Sequence, residues 1–119
     1  MRTAFVIALL CLSAALPAGA ADCGRALNQM AANDCAAQAA ATADAALNRA
    51  WAEVQGALKG GPAAGPLREA QRSWIAYRDL ACKAEAAVYQ GGSIAPMIRS
   101  LCVERLTRAR TADLTAMLN

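Results

Sequence analysis

The sequence predicts an all-α fold: a small antiparallel bundle of three long helices, preceded by a short helical turn and stabilised by disulfides. Three observations lead there. No run of alternating β-branched residues reads as a strand, while Ala, Leu, Arg and Gln, all compatible with helix, dominate. Gly and Pro punctuate the chain at Lys59–Pro66 and again at Gln90–Pro96, leaving three long stretches. Four cysteines outside the leader, an even number in a small chain, read as two bridges.

The leader comes first. Met1-Arg2-Thr3 carries one positive charge, an apolar run extends from Ala4 to Leu16, and Pro17 precedes the small residues Ala18-Gly19-Ala20-Ala21. This is the layout of a secretory signal peptide, with cleavage expected after Ala20 or Ala21. Residues 1–20 are then the leader and 21–119 a single domain, periplasmic or secreted. The apolar run falls short of the roughly 20 residues that a stable bilayer span needs. Cys11 follows Leu10, where a lipoprotein signal wants a small residue, so the chain does not read as a lipoprotein.

Composition narrows the function classes. Twelve basic residues less Arg2, against nine acidic ones, leave a net charge of +2. The basic residues are scattered. The nearest approach to a cluster, Arg105, Arg108 and Arg110, suits the C-terminal dipole of its own helix better than a nucleic acid. The chain has no histidine and no CxxC pair, so a metal site is not expected and the cysteines read as disulfides. No Gly-rich phosphate loop calls for a cofactor.

Each element follows in order. A short turn is expected over 24–32. The first long helix spans 34–58, with Gly60 as its stop. The second spans 66–89, with Pro66 as its first residue. The third spans 94–117, with Ser93 as cap and Pro96 in the first turn. At 100° per residue the first helix buries Ala36, Ala40, Leu47, Trp51, Val54 and Leu58. The second buries Leu67, Ala70, Trp74, Tyr77, Ala81, Cys82 and Val88, and the third Ile98, Cys102, Leu106, Ala109 and Met117. Four cysteines allow three connectivities. Cys82 and Cys102 stand at matching heights, about 10 Å from the second turn, on adjacent helices, which favours Cys82–Cys102 and with it Cys23–Cys35.

Polar residues share these faces. Gln71, Arg78 and Glu85 recur every seven residues on the side of Trp74, and Asp44, Asn48 and Gln55 lie on the side of Trp51. An inward arginine must be paired, since burying it alone costs several kcal/mol. Asp44 is the expected partner of Arg78, with Asn48, Gln71 and Glu85 completing a structural network. The competing reading is an acid–base site between Asp44 and Glu85. With no histidine, free cysteine or phosphate loop to support it, the chain does not read as an enzyme. Asp79 lies about 100° round the helix from Arg78 and reads as an exposed charge or a surface contact.

A wider pattern joins these residues. It runs from Met30 and Cys35 through Ala43-Asp44-Ala45-Ala46-Leu47-Asn48 to Leu67-Arg68-Glu69-Ala70-Gln71-Arg72-Ser73-Trp74-Ile75-Ala76-Tyr77-Arg78-Asp79, then Cys82 and Glu85. Gly91-Gly92-Ser93, Pro96, Cys102, Leu106-Thr107 and Arg110 close it. In this it resembles the lysozyme inhibitor LprI N-terminal-domain family of small exported bacterial domains, over nearly all of residues 21–119. The resemblance implies a non-catalytic protein that binds lysozyme or another envelope protein. Blocking a cleft that works with two carboxylates calls for a rigid protrusion. Gly91, Gly92 and Ser93, flanked by Tyr89 and Arg99, are the expected tip. On the alternative reading the two glycines end one helix and Ser93 caps the next. An adaptor or toxin-neutralising role, without lysozyme, is the alternative function.

Overall fold

Asn28 sets where the first long helix begins, because its side chain accepts a hydrogen bond from the Ala31 amide at 2.9 Å and so satisfies a free helix-end donor. The computed structural model describes residues 20–119; residues 1–19 of the expected leader, Cys11 included, lie outside the described residues. A 3-10 turn, Ala20–Arg25, is followed by α1 (Gln29–Leu58), α2 (Ala64–Ala87) and α3 (Ala95–Ala116), with no strand among the described residues. The short turn therefore sits earlier than the expected 24–32. α1 also starts well before position 34, because Asn28 supplies the cap. The other boundaries shift by one or two residues, within the usual fraying of helix ends. Pro66 falls in the first turn of α2 rather than at its first position.

Leu58 closes α1 in a tight turn. The Gly61 amide donates to the Leu58 carbonyl at 3.0 Å, and Gly60 takes φ +78°, a conformation costly for any residue with a Cβ. Gly56 is different. It lies inside α1, where glycine costs up to about 1 kcal/mol relative to alanine. A Cβ there would meet nothing within 4 Å, so packing does not require the glycine.

The chain runs up, down and up. α1 and α3 lie parallel and share the most extensive interface, α2 lies against α3, and α2 reaches α1 through longer side chains. On α1 the buried positions are Ala32, Ala36, Ala43, Leu47, Ala50 and Val54, spaced three, four or seven apart, and the alanines let α3 come close. Leu47, Ala50, Val54 and Leu114 form the centre of the core, with Trp51, Leu58, Leu67 and Trp74 packed at its margin.

Expectation and structure part company mainly on α2. Gln71 and Cys82 are its buried residues, while Ala70, Tyr77 and Val88 face outward, Tyr77 60% and Val88 80% exposed. The reason is rotational. Tyr77 lies about 140° around the helix from Cys82, and Ala70 and Val88 lie about 120° away. Once the bridge turns Cys82 inward, all three must turn out. On α3, Ala109 and Met117 are exposed, and the buried positions are Cys102, Glu104, Thr107 and Leu114.

Two covalent ties brace this thin core. Cys23 joins Cys35 and Cys82 joins Cys102, with Cα–Cα distances of 5.5 and 5.4 Å. The bridged residues are 12 and 20 apart in sequence. Loop-closure entropy assigns each bridge about 3 kcal/mol, the longer loop slightly more. Replacing Cys82 and Cys102 together by alanine is expected to lower the unfolding free energy by about 3 kcal/mol, a large part of a small domain's total, as read from urea denaturation.

Candidate functional site

Arg78 emerges from the middle of α2 with its side chain only 14% exposed. Its Nη1 donates to Asp44 Oδ1 at 3.3 Å and to Thr107 Oγ1 at 3.4 Å, so one guanidinium touches α1 and α3 together. Its Nε donates to Asp79 Oδ1 at 3.0 Å, and its Cζ lies 5.3 Å from the Trp74 ring centre. Both carboxylates remain about half exposed. The cation is enclosed while its counter-charges keep their water, which avoids much of the desolvation cost of a fully buried ion pair.

The residues expected to form one network fall into separate groups. Asn48 is exposed and meets Asp44 only at 3.5 Å. Gln71 accepts from Arg110 Nε at 2.9 Å rather than joining Arg78. Glu85 accepts from Arg105 Nη2 at 2.7 Å on the exposed surface. Asp79, expected to stand apart, pairs with Arg78. A long arginine side chain bends across the angle that separates neighbouring helix positions, which a projection of Cα positions does not convey.

Thr107, Glu104 and Arg110 take part in these contacts without having been expected there. Glu104 is buried and accepts from Arg108 Nε at 2.8 Å, one helical turn away. The disulfide pairing holds the signal for the other two. Moving four residues back from Cys82 and five on from Cys102 brings Arg78 opposite Thr107. A further seven back and three on bring Gln71 opposite Arg110.

The second candidate region is the loop between α2 and α3. The Gly92 amide donates to the Tyr89 carbonyl at 2.9 Å and Gly91 takes φ +84°, while a Cβ at Gly92 would stand 3.1 Å from that same carbonyl. Both glycines thus have a backbone reason to be there. Ser93 does not cap α3: the cap position is Ile94, with no side-chain hydrogen bond. The Ser93 carbonyl instead accepts from Asn33 Nδ2 at 3.0 Å, which fastens the loop to α1. Gln29 adds a contact from its Nε2 to Met97 Sδ at 3.7 Å. The loop and the start of α1 therefore form one end of the bundle, where Leu27, Met30, Val88 and Tyr89 are exposed; Arg99, in the first turns of α3, is exposed too.

The half-exposed carboxylate limits what the Arg78–Asp44 pair contributes. A double-mutant cycle on Arg78→Ala and Asp44→Ala is expected to give a coupling below about 1 kcal/mol. Arg78→Ala alone should cost about 2 kcal/mol in urea denaturation, because it also removes the Thr107 and Asp79 bonds and the contact over Trp74.

Comparison with known proteins places the chain in a family. The chain is 37% identical over 134 residues to an uncharacterized protein of Rhizobium meliloti (strain 1021), covering 99% of this chain and 96% of that protein. No solved structure matches. The family model described as lysozyme inhibitor LprI matches residues 20–114, nearly the whole of the described chain, and the protein belongs to that family.

Proposed function

We propose that the chain is an exported, non-catalytic protein that acts in the envelope or outside the cell by binding another protein, with lysozyme as the first partner to test. The observation that carries this reading is the braced end of the bundle. Val88 and Tyr89 stand exposed at a loop whose base is held by Cys82–Cys102 and whose flank is held by Asn33, with Leu27 and Met30 exposed at the same end. Exposed apolar groups on a rigid frame lose little conformational entropy on binding. Arg99, exposed in the first turns of α3, supplies a cation suited to a cleft that works with carboxylates.

Export is supported by the leader pattern and by the two disulfides, which persist in oxidising compartments. No helix among the described residues is long and apolar enough to cross a membrane. The non-catalytic reading is supported by the separation of the carboxylates that an acid–base site would have paired: Asp44 engages Arg78, and Glu85 engages Arg105.

Mixed with chicken-type lysozyme, the purified protein is expected to slow cell-wall lysis in proportion to its concentration. Tyr89→Ala and Arg99→Glu should each weaken that effect at least tenfold with little change in melting temperature. Undiminished lysis at large molar excess would remove lysozyme as the partner, and capture of a different envelope protein through the same residues would assign the end to an adaptor or toxin-neutralising role.

A further inference from the structure

At the opposite end from the bridges, α1 and α2 part around a groove that the partner-binding reading above does not use. One section, about 390 Å³, is lined by Gln55, Gly56, Lys59 and Arg68 among others. The next, about 230 Å³, is lined by Trp51, Gln55, Arg68, Gln71, Arg72 and Ile75. Gln55 and Arg68 line both, so the two sections adjoin.

Lys59, Arg68 and Arg72 line this groove, and no carboxylate does. None of the three takes part in the four ion pairs found among the described residues. Behind them, Gln71 holds Arg110 by its Nε, and the Arg110 Nη2 is buried with no hydrogen-bond partner. Three exposed cationic side chains thus line the groove outside any ion pair, with Arg110 enclosed behind Gln71. Gly56 adds an independent sign. It lines the groove from inside α1, it weakens the helix, and nothing in the packing asks for it. A side chain there would occupy open space in the groove wall.

We propose that this groove binds an acidic segment of a partner protein in extended conformation, its carboxylates meeting Lys59, Arg68 and Arg72. From Trp51 to Lys59 the α1 wall is about 12 Å long, enough for three or four extended residues. The mixture of lining groups selects a peptide over an acidic glycan. Leu58, Leu67, Trp51 and Ile75 give apolar surface, and the neutral polar side chains are the amides Gln55 and Gln71. A free amide such as that of Gln55 matches a peptide backbone, whereas a hydroxyl-rich sugar needs more acceptors than the groove supplies, the Gln71 Oε1 being taken by Arg110. Arginine forks fit carboxylates in a bidentate manner.

Fluorescence anisotropy with labelled hexaglutamate tests the assignment. The peptide is expected to bind the purified protein, and hexalysine is not. Raising the salt from about 50 to about 300 mM should weaken binding several-fold. The Arg68→Glu/Arg72→Glu variant should bind at least tenfold more weakly. Gly56→Glu, which places a carboxylate in the groove from the protein itself, should do the same while circular dichroism reports a retained helical fold. Tyr89→Ala should leave hexaglutamate binding unchanged, which separates this site from the braced end. The assignment is overturned if hexaglutamate fails to bind, if it binds both groove variants as tightly as the parent protein, or if trigalacturonate binds the groove more tightly than the peptide does.

Discussion

The Cys82–Cys102 bridge acts on the folded state as well as on the unfolded chain. It joins α2 to α3 at one level, and in doing so it fixes both the sliding register and the rotation of α2. Rotation is the more consequential. Few apolar side chains on α2 are buried, so burial alone would hold that helix weakly in angle. With Cys82 turned inward, Gln71 and Arg78 must follow, because they lie within about 40° of it around the helix. The positions of the inward polar groups, and the outward placing of Tyr77 and Val88, are consequences of one covalent link.

Those polar groups then complete what the bridge begins. Arg78 spans all three helices through Asp44, Thr107 and its place over Trp74. Gln71 and Arg110 tie α2 to α3 further along, and Glu85 with Arg105 does so at the surface. Hydrogen bonds are directional where alanine packing is not, so this series discriminates between neighbouring registers that an alanine-rich interface would tolerate. The cost is modest because Asp44 and Asp79 keep contact with water.

The three helices, their order and the loops between them were legible from composition and from Gly and Pro, since those residues act locally. The start of α1 was not, because Asn33 and Asp34 carry the same capping chemistry as Asn28 and composition does not choose among them. The α1 core was legible in the spacing of Ala36, Leu47 and Val54, and the α3 core was not. Its inward positions include Glu104 and Thr107, which break any apolar stripe. For the candidate site, the Arg78–Asp44 pairing followed from the cost of an unpaired inward charge. Gln71 and Glu85 share a helix face with Arg78 yet find other partners, because α3 rather than α1 lies against that stretch of α2. Projection of one helix at a time has no information about which neighbour stands opposite.

The placement of the two bridges also divides the backbone into unequal risks. Cys23–Cys35 closes on the first segment alone, and Cys82–Cys102 straddles the loop that carries Tyr89 and Gly91. A protease that cut at that loop would leave both halves covalently joined and side by side. A cut at Gly60 or Gly61 would sever α1 from the rest, leaving only non-covalent contacts to hold it. The molecule is thus tolerant of nicking at the end that carries Tyr89 and vulnerable at the end that carries the groove.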